Sequence, residues 1–225
     1  MADIFREIED GLRQDRLQKL WRRGRWPLFV VIAAIVGAVI AYVVIRDVTE
    51  SRRLEQGTRY AAALEVFQAG QPAEAAALFD SLADEAGDPG YVIFARLRAA
   101  QALVAAGDTA GAVATYDRIA GDGSVEPLYR DLATLLAADR LVDTASIEEI
   151  SQRLAPLLAG ETIWKPMAQE TMALAALKAG RVDDARALFH ALTTEAGVPP
   201  GVGERAAKLL ASLGGALPSP EASAD

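Results

Sequence analysis

The chain has 225 residues, with 31 Asp and Glu against 23 Lys and Arg, one histidine and no cysteine. The resulting net charge of −8 argues against nucleic-acid binding, because a phosphate backbone requires a basic footprint. The lack of cysteine excludes disulfides, thiol nucleophiles and cysteine-ligated metals, and the many alanines and leucines predict an all-α protein.

Residues 1–25 form a charged arm that we expect to be partly helical. Phe5, Ile8 and Leu12 fall on one face of such a helix, and basic residues follow at positions 22, 23 and 25. The arm could lie on the anionic inner leaflet of a membrane. The alternative is a solvated charged arm.

Residues 26–46 are predicted to be a transmembrane helix. Leu28 to Ile45 is an unbroken run of 18 residues without charge, and with Trp26 and Pro27 it reaches about 30 Å, one bilayer thickness. A cleaved signal would have a shorter apolar region and a small-residue cleavage site. The segment is therefore interpreted as an anchor that is retained.

The flanking charges predict the orientation of this anchor. Seven Lys or Arg precede Trp26, four of them at positions 19–25, whereas only Arg46, Arg52 and Arg53 follow closely. Positive residues favour the cytoplasmic side. We expect the N-terminus in the cytoplasm of a bacterial inner membrane and the domain at 47–217 in the periplasm, with 218–225 as a disordered tail.

Small residues recur every fourth position within the predicted span, at Ala33, Gly37 and Ala41. Such a face allows another transmembrane helix to approach closely. We take these three residues as a candidate transmembrane packing face.

Three stretches of the domain align without gaps, beginning at Ala62, Ala99 and Met172. Each has an alanine, then a glycine seven residues later, an alanine five residues after the glycine, and an aromatic four residues after that. The glycines are Gly70, Gly107 and Gly180, and the aromatics are Phe79, Tyr116 and Phe189. The spacing predicts helical hairpins in which glycine ends the first helix and alanines allow close packing.

A fourth, degenerate copy is predicted between the second and third, because Gly107 and Gly180 are separated by about two repeat lengths. Its helices are expected at Pro127 to Leu141 and Ser146 to Leu158, the second opened by a capping box from Ser146 to Glu149. Asp143 stands where a glycine is expected.

The repeat pattern resembles the tetratricopeptide repeat, in which helix pairs stack into a superhelix. Pro89, Pro127 and Pro199 fall near the expected ends of second helices. The sequence departs from that family early in the first helices, where Arg59, Arg96 and Gln169 replace a bulky aromatic. The predicted fold is all-α, with one N-terminal transmembrane helix followed by an α-solenoid of about four such hairpins.

The layout of the whole chain resembles the YfgM-like family of ancillary SecYEG translocon subunits. The likeness includes the element GETIWKPMAQETMALAALKAGRVDDAR, which begins at Gly160 and contains Trp164. The resemblance implies protein partners, namely the translocon and periplasmic chaperones. Trp164 is interpreted as a packing anchor between repeats, with ligand stacking as the alternative.

No arrangement of residues indicates catalysis, a cofactor or a small-molecule substrate. His190 is the only histidine and cannot build a usual metal site or nucleophile pair. The adjacent acids Asp84–Glu85, Glu148–Glu149 and Asp183–Asp184 diverge by about 100° on a helix and are interpreted as first-turn charges. We expect a protein that is not an enzyme and has no cofactor.

The repeat register predicts an apolar strip on the concave side of the array, which could hold a segment of another protein. The competing interpretation is that the same side chains pack against neighbouring helices. The candidate groove residues are Tyr60, Leu64, Phe67, Phe94, Leu97, Val104, Leu174 and Leu177.

The leading hypothesis is an inner-membrane adaptor that assists protein translocation or folding beside the SecYEG channel. One rival is a scaffold for envelope assembly or cell division that uses the same repeats. Another is a regulator that acts through its cytoplasmic arm.

Overall fold

A computed structural model describes residues 3–85 and 89–215, with side chains at 26 and from 29 onward. The predicted apolar face of the arm (Phe5, Ile8, Leu12) lies outside the side chains that the structure describes. The predicted tail at 218–225 lies outside the described residues. Nine helices and no strands are found in the described part. They are α1 Asp3–Gln68, α2 Pro72–Glu85, α3 Pro89–Ala105, α4 Thr109–Gly121, α5 Pro127–Leu141, α6 Ile147–Ala159, α7 Lys165–Lys178, α8 Val182–Thr194 and α9 Pro200–Ser212.

The chain divides into two compact units, Met1–Glu55 and Gln56–Asp225. Within the first, every described side chain from 29 to 55 is exposed. Within the candidate span Phe29–Gln68, the most apolar 18-residue window has a mean hydropathy of 2.6, and none of that window is buried inside the protein. By length and composition, this is one helix of the described part that could cross a membrane.

The second unit consists of helical hairpins, as the repeat pattern predicts. The pairs are the C-terminal end of α1 with α2, α3 with α4, α5 with α6, and α7 with α8, and each helix packs on the next. The repeated alanines and aromatics are among the most buried positions of the unit. Those at most 5% exposed include Ala63, Ala75, Phe79, Ala100, Ala112, Tyr116, Ala173, Ala185 and Phe189.

Glycine ends three of the first helices in the same way. Gly107 has a φ of +84°, a left-handed conformation that favours glycine because it lacks a Cβ. Its N–H donates to the Val104 carbonyl at 3.0 Å, and the Asp108 N–H donates to the Leu103 carbonyl at 2.9 Å. This is the Schellman arrangement, and Gly70 and Gly180 repeat it.

The degenerate third hairpin reverses the chain without a glycine. None of the described non-glycine residues has a positive φ, so Asp143 does not adopt the left-handed conformation of the glycines in the other turns. Instead, the Ala145 N–H donates to the Leu141 carbonyl at 2.8 Å. Ser146 then caps α6 by accepting from the Glu149 N–H at 3.2 Å, which confirms the predicted start of that helix.

Pro89 and Pro127 follow the ends of second helices, and each is the first residue of the next helix, where its missing N–H costs nothing. One local expectation was wrong. Asp84 and Glu85 are not first-turn charges, because they end α2, and Glu85 pairs with Arg59 of α1.

A ninth helix, α9, follows the four hairpins and was not anticipated. Val202, Ala206 and Leu210 are buried on one face of it and join the same apolar cluster as Phe189 and Leu192 of α8. This helix therefore covers the apolar end of the last hairpin, as a terminal cap of a repeat array does.

Candidate protein-binding groove

An open cavity of about 590 Å³ lies along the first helices of the first three hairpins. Its walls are mainly apolar and come from α1, α3 and α5, with one contribution from α4. The lining residues are Phe67, Phe94, Leu97, Arg98, Gln101, Val104, Ala105, Tyr116, Leu136 and Arg140.

A second open cavity, of about 410 Å³, lies between α5, α7 and α9. Leu136 lines both cavities, which are therefore adjacent, and together their linings extend along α1, α3, α5 and α7 to α9. We call this surface the groove. The second cavity is lined by Leu135, Leu136, Asp139, Met167, Glu170, Thr171, Leu174, Arg205 and Leu209.

The structure divides the eight predicted groove residues into two groups. Five of them line the groove, namely Phe67, Phe94, Leu97, Val104 and Leu174. The other three, Tyr60, Leu64 and Leu177, are not among the lining residues of the two cavities; they are half-buried against the apolar core.

Phe94 is the most exposed of the lining aromatic residues, with 51% of its surface accessible. Its ring packs against that of Tyr129 on α5 in a T-shaped arrangement, with the ring centroids 5.9 Å apart. The remaining face of Phe94 borders the 590 Å³ cavity. Phe94 therefore offers a large apolar surface that the described part of the chain does not cover.

Several lining residues were missing from the sequence-based prediction. Leu136 and Arg140 come from α5, whose register the glycine pattern could not fix because Asp143 replaces the glycine. Arg205 and Leu209 come from α9, which lies outside the repeats. Tyr116, the repeated aromatic of the second hairpin, is 5% exposed and also borders the first cavity.

The polar groups of the first cavity are cationic or neutral. Arg98 donates from Nε to the Tyr60 hydroxyl at 2.9 Å and from Nη1 to Gln101 Oε1 at 2.8 Å. Arg140 pairs with Asp139. Burial raises the pKa of the Tyr116 phenol, an effect that the positive charge of Arg140 partly opposes, so Tyr116 is a neutral donor at physiological pH.

Each carboxylate of the second cavity is paired with an arginine, Asp139 with Arg140 and Glu170 with Arg205. Glu170 is buried, and Arg205 donates to both of its carboxylate oxygens, at 2.7 and 2.6 Å. These two bonds raise the pKa of Arg205. The two ends of the groove therefore differ, with unbalanced positive charge at the α1–α3 end only.

Trp164 precedes the first residue of α7 and contacts the N-terminal end of α5. Its indole Nε1 donates to the Leu128 carbonyl at 2.9 Å, and its ring packs against the apolar cluster of the last hairpins. These contacts join the start of α7 to the start of α5.

The candidate transmembrane packing face is open in the first unit. Ala33, Gly37 and Ala41 are all exposed, and a Cβ added at Gly37 would meet no atom within 4 Å. A larger residue at position 37 therefore fits the helix itself.

Groups of metal-ligating side chains are absent from the residues that the structure describes. His190 is exposed on α8. The groove offers an apolar surface with a few fixed hydrogen-bond donors.

The stacked hairpins with a groove along their first helices define the class of tetratricopeptide-like α-solenoids, folds that typically serve as protein-interaction scaffolds and not as catalysts. Residues 18–198 match the family model described as Tetratricopeptide repeat-like domain, and the chain belongs to that family. The match begins before the apolar segment and ends before α9. Neither the curated proteins nor the solved structures gave a match.

Proposed function

We propose that this protein is a membrane-anchored adaptor whose groove holds a segment of another protein. The observation that carries the proposal is the run of two apolar cavities, joined at Leu136, along the first helices of the array. Repeat scaffolds bind partners along such surfaces. The membrane anchor is residues 26–46, the periplasmic domain is 47–217, and residues 1–25 are in the cytoplasm.

The cellular setting that we propose is the bacterial inner membrane beside the SecYEG channel, with periplasmic chaperones as further partners. The support for it is the resemblance of the chain layout to ancillary translocon subunits and the excess of basic residues before Trp26. The family match supports a protein-binding role in general.

Site-specific photocrosslinking in intact cells tests the groove. A photoreactive amino acid at Gln101, which is exposed and lines the first cavity, should yield discrete crosslinked protein bands. The matched position is Leu78 on α2, which is 41% exposed and not among the lining residues. Equal crosslinking at both positions, or none at Gln101, would contradict the groove; bands that contain division or envelope-assembly proteins would favour that rival setting.

A topology reporter tests the orientation. Alkaline phosphatase fused after Asp225 should be active, because this enzyme requires the periplasm, whereas a cytoplasmic reporter at the same site should be inactive. The reverse result would place the domain in the cytoplasm and remove the proposed partners.

The packing face is tested by Gly37→Leu. If Ala33, Gly37 and Ala41 pack against a helix of the channel, the larger side chain should reduce co-purification with the channel while membrane insertion is retained. Val36→Leu is the matched control, since position 36 is already large and apolar. If Gly37→Leu co-purifies with the channel as the wild type does, the packing face is not needed for this interaction, and the groove remains the proposed binding surface.

A further inference from the structure

The charge of the first cavity is opposite to that of the domain around it. From residue 50 onward the chain has 15 Lys and Arg against 25 Asp and Glu. The ten residues that line the 590 Å³ cavity nevertheless include two arginines and no carboxylate. An acidic domain therefore presents an apolar cavity with a positive edge.

Arg98 is the source of most of this unbalanced charge. Eight of the ten arginines in 56–215 lie within 4.0 Å of a carboxylate, and the cavity's other arginine, Arg140, is one of them. Arg98 has no carboxylate of a described residue at that distance; its partners there are the Tyr60 hydroxyl and the Gln101 amide.

The two neutral partners also fix the direction of the Arg98 guanidinium. They occupy Nε and Nη1, while Nη2 makes no hydrogen bond within the described part of the chain. A guanidinium held in this way loses less rotamer freedom when it binds an anion. A carboxylate is the common protein group that matches its planar donors.

We propose that Arg98 selects protein segments that carry an Asp or Glu side chain next to large apolar residues. The apolar side chains occupy the cavity between Phe67, Phe94 and Leu136, and the carboxylate accepts hydrogen bonds from Arg98. This inference rests on the proposed function, and it adds the chemistry of the bound segment. A protein segment fits better than a compact ligand because the groove continues past Leu136 into the second cavity.

Peptide selection on the full-length protein in detergent tests the inference without a known partner. A displayed library of random 12-residue peptides is selected on the wild type and on Arg98→Gln. We expect wild-type selection to enrich Asp or Glu beside aromatic or aliphatic residues, and Arg98→Gln to enrich the apolar residues without the acid. The matched control is Arg118→Gln, at an exposed arginine on α4 whose Asp80 partner is 3.6 Å away.

Affinities then measure the contribution of the charge. The best acidic peptide, labelled with fluorescein, should bind Arg98→Gln about ten- to a hundredfold more weakly than wild type, the range of one charge-assisted hydrogen bond. It should bind Arg118→Gln as it binds wild type. Replacing the acid of the peptide by Lys should restore binding to Arg98→Glu. Thermal unfolding of each variant, followed by circular dichroism, checks that the fold is retained.

The outcomes separate the two proposals. Apolar peptides enriched without an acid, and bound equally by wild type and Arg98→Gln, would overturn the role of Arg98 and leave the groove as a protein-binding surface. Peptides whose binding is unaffected by Phe94→Ala would overturn the groove itself. Direct binding of dodecanoate that depends on Arg98 and displaces the peptide would replace the acidic segment by a fatty-acid carboxylate.

Discussion

Arg205 of α9 and Glu170 of α7 form a two-bond ion pair, from Nε to Oε1 at 2.7 Å and from Nη2 to Oε2 at 2.6 Å. The Glu170 side chain is 11% exposed, whereas that of Arg205 is 57% exposed. The pair connects the terminal helix α9 to α7, the first helix of the last hairpin. A buried carboxylate depends here on a cation from a helix outside the repeats.

Arg205→Leu should destabilise the domain, because it leaves the Glu170 carboxylate buried without its donors. We expect the free energy of unfolding to fall by about 1–3 kcal/mol, the cost of an unsatisfied buried polar group. Urea unfolding of a fragment that begins at Thr49, followed by circular dichroism, measures it. The double variant with Glu170→Gln should lose less than the sum of the two single losses.

Arg181→Leu is the control for this pair. Arg181 pairs with Asp184 on the surface of α8, and both side chains are about half exposed. Exposed pairs contribute about 0–1 kcal/mol, so this variant should unfold nearly as the wild type does. Equal losses from Arg181→Leu and Arg205→Leu would contradict the special role of the buried carboxylate.

Gly107→Ala should destabilise the second hairpin through backbone strain alone. A Cβ at Gly107 would meet no atom within 4 Å, but φ is +84°, and a left-handed conformation costs a residue with a Cβ about 1–2 kcal/mol. The midpoint of urea unfolding should fall accordingly. Asp143→Ala, at the corresponding turn of the third hairpin, should change stability by no more than about 0.5 kcal/mol, since Asp143 is exposed and has a negative φ.

The hairpins were predictable because their repeated residues have one physical role each. Glycine permits a positive φ, alanine permits close helix packing, and the aromatic fills the layer, so the spacing alone located α2, α3, α4, α7 and α8. The same logic explains why the register of α5 and α6 was not predicted. When Asp143 replaced the glycine, the helices were still visible from their apolar periodicity, but the register that points Leu136 and Arg140 into the groove was not.

Helix α9 could not be predicted because its sequence favours a helix weakly. Gly201 and Gly203 lower the helix propensity of its first turn, and no repeat partner exists for comparison. At Gly203, α9 lies close to α8: a Cβ there would be 3.6 Å from the Leu192 carbonyl oxygen, an ordinary van der Waals contact. Tertiary packing, not local preference, forms this helix.

Asp122 should make a pH-dependent contribution to stability. Its Oδ1 accepts from the Ser124 hydroxyl at 2.6 Å and from the Ser124 N–H at 2.9 Å, and these bonds lower the pKa of Asp122 below its usual 3.8. The folded state therefore binds this proton less readily than the unfolded state. The contribution is complete above about pH 4 and is lost as the pH falls through the lowered pKa.

Asp122→Ala should accordingly have a lower Tm than the wild type at pH 7, and the difference should shrink as the pH falls toward 3. Calorimetric scans of both proteins between these pH values measure it. A difference in Tm that is the same at pH 7 and pH 3 would show that the Asp122 carboxylate is not stabilised in its ionised form.

Phe94 and Phe189 provide a matched pair for separating groove from core. Both are phenylalanines on helices of the array, but Phe94 is 51% exposed and Phe189 is 0% exposed. Phe189→Ala should lower the free energy of unfolding by about 3–5 kcal/mol, through lost transfer energy and a cavity. Phe94→Ala should lose about 1 kcal/mol or less, mainly the edge contact with Tyr129, and should weaken capture of a groove-bound partner. Ala112→Leu, at a fully buried position between packed helices, should lower the free energy of unfolding by about 1–3 kcal/mol through overpacking while leaving the groove residues in place. Urea unfolding and crosslinking from Gln101 measure the two properties separately. If Phe94→Ala unfolds as readily as Phe189→Ala, the Phe94 side chain belongs to the core, and the five lining residues from the prediction lose their claim to a binding role.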